Sequence, residues 1–298
     1  MRKKIIILLI ATIASTSLIA CGEKKTESVS EDTPVVESTP DSQTEVVDNQ
    51  IEESGAPNYV EGTSEDFSLY TIDDSSVGIS EYKGSAEYLI IPESLDGKTI
   101  VEVGGFADKD SLKGVILPNS IKKIVDHGFN DCSSLVSVEF GEGIEVIEDR
   151  AFINCGSLES INLPSSLVEL GEAAFNVSNL QEISIPSGLT EIQDGAFANG
   201  NFEELTIPSN IKTVAKQAFA GNPNLKKVFI EDGVESIGKG VFDKCEQLTE
   251  IHIPASVTEF GNDGGKIMKN SSNVTIYAPA GSPAESYANE KGITFDAE

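Results

Sequence analysis

Four cysteines, two histidines and 49 carboxylate side chains are the groups in this 298-residue chain with the chemistry for a catalytic or metal site. A cysteine nucleophile needs a base beside it, and a tetrahedral metal centre draws its ligands mainly from Cys and His. Two histidines are too few for a multi-histidine centre, and an all-cysteine site would consume Cys21, Cys132, Cys155 and Cys245 together. Acid pairs such as Asp73/Asp74, Asp108/Asp110 and Glu203/Glu204 serve acid/base catalysis only where a cleft brings two carboxyls together. The chain contains no EF-hand spacing, Walker loop or Gly-x-Ser-x-Gly elbow. Lys and Arg number 21, so the formal charge is -28, and such a chain repels the phosphates a nucleic-acid binder must neutralise. The expectation is a protein without catalytic residues, metal, cofactor or nucleic-acid partner.

The elements that would position any site are repeats. Phe106, Phe129, Phe152, Phe175, Phe197, Phe219 and Phe242 follow one another at spacings of 23, 23, 23, 22, 22 and 23 residues. Between them recurs one pattern, clearest in Leu158-Glu159-Ser160-Ile161-Asn162-Leu163-Pro164, then Leu167, Leu170, Gly171 and Ala174-Phe175. The alternating pairs Val115/Leu117, Val138/Phe140, Ile161/Leu163, Ile183/Ile185, Leu205/Ile207, Val228/Ile230 and Ile251/Ile253 predict one short strand per repeat. A second apolar pair follows each turn, as in Ile121/Ile124 and Val234/Ile237. A proline after the strand (Pro118, Pro164, Pro186, Pro208, Pro254) ends pairing by removing a donor.

A unit this short cannot bury its own apolar face, so its copies must stack and share a core. The prediction is a repeat solenoid, mainly β with short turns, of about nine stacked turns at roughly 4.8 Å each. Phe67–Ile72 and Val77–Ile79 read as a β-hairpin cap turning at Asp73-Asp74-Ser75-Ser76. At the other end, Val274–Tyr277 reads as a last strand, followed by a short helix with Ser282 as N-cap and Pro283 at N1. Open sheet ends need such covers. The unit containing Gly261-Asn262-Asp263-Gly264-Gly265 loses the repeat's turn and phenylalanine.

The motif Leu-x-x-Ile-x-Leu-Pro-x-x-Leu-x-x-Ile-Gly-x-x-Ala-Phe-x-x-Cys resembles the BspA-type leucine-rich repeat, also called the Treponema pallidum type, over residues 67–298. The resemblance implies a right-handed, curved leucine-rich-repeat rod on a bacterial cell surface, acting as an adhesin toward host matrix proteins or other bacteria. It brings no residue-level site with it.

The amino terminus reads as an address. Arg2, Lys3 and Lys4 precede an apolar run from Ile5 that ends in Leu18-Ile19-Ala20-Cys21-Gly22, the plan of an export signal. The last five residues resemble a bacterial lipobox, which implies cleavage before Cys21 and lipidation of its thiol, hence an exported, membrane-anchored protein facing outward. Residues 22–66 carry 13 acids and two lysines, a composition that cannot form a core and extends by self-repulsion. The expected division is a signal peptide at 1–20, an acidic tether at 21–66 and the repeat domain at 67–298. A 45-residue tether reaches on the order of 35 to 40 Å.

Strand residues between core positions point outward and make two rows. One is Ile116, Glu139, Asn162, Ser184, Thr206, Phe229 and His252; the other includes Glu182, Glu204, Lys227 and Glu250. Repeat rods offer such rows as an extended binding platform, and Phe229 is the kind of aromatic anchor that interfaces favour. The expected function is noncovalent binding of proteins or glycans at the cell surface by a monomer, adhesin-like. The alternative is a scaffolding envelope lipoprotein with bacterial partners. Cys132 and Cys155 share one slot in adjacent turns, within disulfide reach for an exported protein, with free buried thiols the favoured state.

Overall fold

Stacking is what the short repeats require, and the computed structural model, which describes residues 56–261, 265–269 and 273–298, shows a β-solenoid of about nine turns. The signal, Cys21 and most of the tether lie outside the described residues. One parallel sheet is built from Val60–Glu61, Tyr88–Ile90, Gly114–Ile116 and Ser137–Glu139. Further along the rod the same row resumes as Glu204–Ile207, Lys227–Ile230, Glu250–His252, Thr275–Ala278 and Thr294–Ala297. A second row of mostly two-residue strands runs through Lys123–Ile124, Val146–Ile147 and Glu169–Leu170, then Glu191–Ile192, Thr213–Val214, Ser236–Ile237 and Glu259–Phe260.

Inside, the repeat phenylalanines form a ladder. Every ring from Phe106 to Phe242 is essentially buried, and successive centroids lie 4.7, 5.1, 5.2, 5.8, 5.5 and 6.5 Å apart with nearly parallel planes. Such pairs contribute about 0.5–1.5 kcal/mol each beyond the area they bury. Tyr82 closes the amino-terminal end by stacking on Phe106 at 5.0 Å, with Phe67 behind it. At the other end Phe242 donates its backbone N–H to Ile267 O at 2.9 Å. Ile267 and Met268, both buried, stand where the next phenylalanine would.

The turns that present each phenylalanine need two left-handed residues, two positions before it and two after. For Phe129, Phe152, Phe175, Phe197, Phe219 and Phe242 these are His127/Asp131, Arg150/Asn154, Ala173/Val177, Gly195/Asn199, Gln217/Gly221 and Gly240/Lys244, all with φ between 52° and 73°. Asn, Asp and Gly tolerate that region; a β-branched side chain does not. Val177, at φ 60° and exposed, is therefore the strained member of the series.

The caps follow the sequence. Phe67–Thr71 pairs antiparallel with Ser76–Tyr82, and Asp73 Oδ1 accepts from Ser75 N, Ser75 Oγ and Ser76 N at 2.7–2.9 Å. Those hydrogen bonds from Ser76 and Ser75 hold the Asp73 carboxyl down at about 2. Val60–Glu61 and a 3-10 turn at Ser64–Asp66 lie upstream of the hairpin. The carboxy-terminal helix, Pro283–Lys291, has Ser282 Oγ accepting from Glu285 N and a left-handed Gly292 as its stop. The continuous strand row expected from the apolar pairs is, however, not formed: residues 160–162 and 182–184 pair with no neighbour as strands.

Two stability measurements check this packing. Phe152→Ala removes a central rung and is expected to cost about 3–5 kcal/mol, read as a lower melting temperature; an unchanged melt contradicts the ladder. Val177→Asn relieves left-handed strain and is expected to stabilise by about 1 kcal/mol, visible as a raised denaturation midpoint.

Candidate binding surface

The break in the strand row lies beside a local change in the repeat spacing. Six residues separate Phe152 from Leu158, as in most repeats, but only five separate Phe175 from Leu180 and Phe197 from Phe202. The shorter connection alone does not decide pairing, because Glu204–Ile207, which follows the second one, pairs in full register with Lys227–Ile230. The phenylalanine edge itself stays closed: Ala173 N, Phe175 N and Val177 N donate to Asp194 O, Ala196 O and Ala198 O at 2.9–3.0 Å. On the strand side, Gln181 N to Glu159 O (3.0 Å) and Asn201 N to Leu180 O (2.8 Å) hold neighbouring turns at their first residues. Ile183, Ile185 and Leu163, expected in the core, are only partly buried there.

A polar cleft of about 580 Å³ opens at this break, lined by Glu159, Ser160, Gln181, Glu182, Asn201, Glu203 and Asn224. The even repeat spacing gives no sign of such a cleft, which opens where the strand row is interrupted. Asn224 Nδ2 donates to Asn201 Oδ1 at 2.6 Å and Gln247 Nε2 to Asn224 Oδ1 at 2.9 Å, an amide ladder along one rim. Lys226 takes up Glu203 at 2.9 Å. Glu159 and Glu182 have no salt bridge among the described residues. No group of three or more His, Cys, Asp or Glu among the described residues is placed to hold a metal ion.

Beyond the break the outward rows are regular and carry the most apolar part of the surface. Phe229 pairs with Thr206 on one side and His252 on the other, and His252 with Tyr277. Parallel register turns these side chains into a stack: Phe229 to His252 is 4.7 Å at 16°, and His252 to Tyr277 is 4.8 Å at 12°. Phe229 is 38% exposed, the one exposed phenylalanine among the described residues. Beside the stack Lys227 Nζ meets Glu250 at 2.8 Å, which raises the lysine's pKa through that hydrogen bond. His252 Nδ1 lies 3.0 Å from a Glu298 carboxylate oxygen.

The predicted surface residues thus divide. Thr206, Phe229, His252, Glu204, Lys227 and Glu250 stand on regular strands of one sheet. Ile116 and Glu139 sit on the upstream sheet, where Ile116 is half-buried beneath the preceding turns. Asn162, Ser184 and Glu182 lie at the broken turns and line a smaller cleft of about 250 Å³. Tyr277 was missed as the third ring, because the divergent unit before it hides the register that aligns it with His252.

The shared cysteine slot is structural. Cys132 Sγ donates to Phe106 O at 3.0 Å, Cys155 Sγ to Phe129 O at 3.3 Å and Cys245 Sγ to Phe219 O at 3.5 Å. In the same slot Asn222 Nδ2 donates to Phe197 O and Phe219 O. The slot therefore supplies a donor for a buried carbonyl of the phenylalanine edge. Cys132 and Cys155 are free thiols. Burial pushes the Cys132 and Cys245 thiols up to about 12 and raises that of Cys155 as well, so none is a thiolate nucleophile near neutral pH.

A parallel solenoid with this repeat is a leucine-rich-repeat protein. The model of the BspA type leucine rich repeat region matches residues 99–226 and 212–280 with six copies, and the chain belongs to that family. Among solved structures it is similar to a Treponema pallidum leucine-rich repeat protein, at 22% identity over 80% of this chain and 98% of that one, TM-score 0.48. It is also similar to a leucine-rich cell surface protein of Faecalibacterium prausnitzii, at 15% identity over 82% and 96% of the two chains, TM-score 0.48. A Bacteroides capillosus leucine-rich repeat protein matches at 26% identity over 39% of this chain and 91% of that one, TM-score 0.36. No curated protein sequence matches this chain.

Proposed function

We propose that this chain is an exported, lipid-anchored surface protein whose solenoid binds protein or glycan partners without chemical turnover. The observation that carries the reading is the outward face of the strand row from Glu204 to Ala278, where the Phe229, His252 and Tyr277 rings and flanking charged side chains form one exposed platform. Rigid, flat surfaces of this kind recognise by contact area and a few aromatic anchors. The buried thiols and the family's repeat architecture point the same way, toward binding rather than catalysis.

The amino terminus supports the location. The Arg2–Lys4 flank, the apolar run and Leu18–Gly22 fit export followed by lipidation at Cys21. The signal peptide is residues 1–20 and the acidic tether residues 21–66, whose last residues join the solenoid through Val60–Glu61 and the Ser64–Asp66 turn. Two or more acyl chains give durable attachment where one does not. The tether then holds a monomeric solenoid away from the membrane, facing outward. A charge of -28 disfavours nucleic acid as a partner. The binding mode is adhesin-like.

Replacing Cys21 with Ala is expected to move the protein from the membrane fraction to the soluble fraction and abolish acyl labelling; a labelled, membrane-retained variant contradicts the anchor. The function itself is tested by immobilising the full chain and exposing it to matrix proteins, host-cell lysate and lysate of the producing bacterium. Saturable capture of a host component that Phe229→Ala weakens is the expected result. Capture confined to the bacterial lysate makes the protein an envelope scaffold instead.

A further inference from the structure

The aromatic stack on the outward face is unfinished. His252 has a ring on both faces, Phe229 and Tyr277, at 4.7 and 4.8 Å. Phe229 has a ring on one face only. Its neighbour on the other side, across parallel pairing, is Thr206, an exposed side chain too short to cover a phenyl ring. The strand spacing that sets the existing rungs therefore leaves one rung open above Thr206, the right depth for a flat group lying parallel to Phe229.

The charge around this rung selects the kind of group. On the two outward rows the one cation is Lys227, the cross-strand neighbour of Glu204, and its ammonium is held at 2.8 Å by Glu250, on the strand away from the open rung. Glu204 lies two residues before Thr206 on the same exposed strand face, and Glu182 occupies the equivalent row position one turn further on. Neither has a salt bridge among the described residues, and both stand on a chain whose formal charge is -28. A cationic group is attracted to such a surface, and a neutral one gains nothing from it. Of the two cationic side chains, Lys presents a compact point charge. Arg presents a planar cation that stacks on aromatic faces and offers a fork to a carboxylate.

We propose that the open face of Phe229, above Thr206 and beside Glu204, receives the guanidinium of an arginine carried by a basic, extended segment of a partner protein. This rests on the reading of the same sheet face as the binding surface and names the chemistry of its partner. The guanidinium continues the Phe229–His252–Tyr277 stack by one rung, taking a cation–π contact from Phe229 and a charge-assisted hydrogen bond from its N–H groups to Glu204. Further basic residues of the segment meet Glu182 and the carboxylates of the cleft at the sheet break.

The test uses the full chain and three blocked hexapeptides differing only in three side chains: arginine, lysine, or citrulline, which keeps the plane and loses the charge. Ring-labelled phenylalanine reports the Phe229 resonance during titration at physiological salt. The arginine peptide is expected to bind about fivefold or more tightly than either counterpart, in line with a single stacked and ion-paired contact. Glu204→Gln weakens it on the same signal, and Phe229→Leu, which removes the reporter ring, weakens it as read by calorimetry. Thr206→Tyr fills the open rung with a side chain suited to a strand, and is expected to abolish the difference between the arginine and citrulline peptides while the melting temperature holds. Equal binding of all three peptides, or arginine binding untouched by Thr206→Tyr, overturns the proposal.

Two further results separate this inference from the reading beneath it. If a neutral N-acetylglucosamine trimer shifts Phe229 and the arginine peptide does not, the rung takes a glycan. The arginine inference then fails and the binding face stands. If neither probe shifts Phe229 and Phe229→Ala leaves partner capture unchanged, both fail together.

Discussion

The interaction on which everything else depends is the closure of the phenylalanine edge, where buried rings stack in sequence and backbone groups bond from turn to turn. No repeat can fold alone, because its apolar residues find cover only in the copies above and below. The edge solves two problems at once. The rings give each turn a flat apolar surface repeating at 4.7–6.5 Å, and a donor in the cysteine slot bonds phenylalanine carbonyls from the neighbouring turn, adding to the backbone N–H that Phe106 O and Phe129 O also accept. An unpaired buried carbonyl costs about 1–3 kcal/mol. Cys and Asn in this slot are thus variants of one hydrogen-bonding requirement, and the burial of the slot protects its thiols from chemistry.

Because the edge carries continuity, the strand side is free to differ. The sheet breaks between Glu139 and Glu204 while the ring ladder passes straight through, at 5.2 Å for Phe152–Phe175 and 5.8 Å for Phe175–Phe197. The break lies beside two successive turns whose connection is one residue shorter. It converts part of an even wall into a polar cleft without disturbing the core's spine. Outward residues, bonded to nothing that holds the fold, can then be chosen for partners. The surface changes character there, with carboxylates and amides at the break and stacked rings immediately beyond.

How much of this was legible follows from periodicity. The phenylalanine spacing, the apolar pairs and the Ser282-Pro283 start of the helix were readable because burial and capping constrain residue type strongly at those positions. The hairpin at Asp73 was readable for the same reason. The break was not, although its signal was present as the 22-residue spacings: an apolar pair such as Ile183/Ile185 states which side faces inward and says nothing of whether a neighbour is in register. The two left-handed slots flanking each phenylalanine were equally hidden, since they are filled by Asp, Asn, Gly, His, Arg, Ala, Gln, Lys and Val. The turn is imposed by the stack and tolerated by the residue. Phe229 and His252 were visible as surface residues, but the stack they form with Tyr277 depends on a register that passes over an irregular unit.

The stacked rings also show how a parallel solenoid makes an anchor that no single repeat encodes. In an antiparallel pair a ring meets its cross-strand neighbour once, whereas parallel rungs repeat the same contact at the same height along the rod. Each added aromatic residue is therefore held in place by the last, and its side-chain entropy is already spent before a partner arrives. His252 is fixed from both faces, and Phe229 from one, so the exposed ring is rigid while still half uncovered. Preorganised aromatic area is what association needs most, because freezing a mobile side chain at an interface costs about 0.5–1.5 kcal/mol. The acidic surroundings contribute in a different way, by steering oppositely charged partners toward the face before contact is made. On the proposed reading rigidity would hold a complex and charge would select what is offered to it, and in this chain the two lie on neighbouring strands of one sheet.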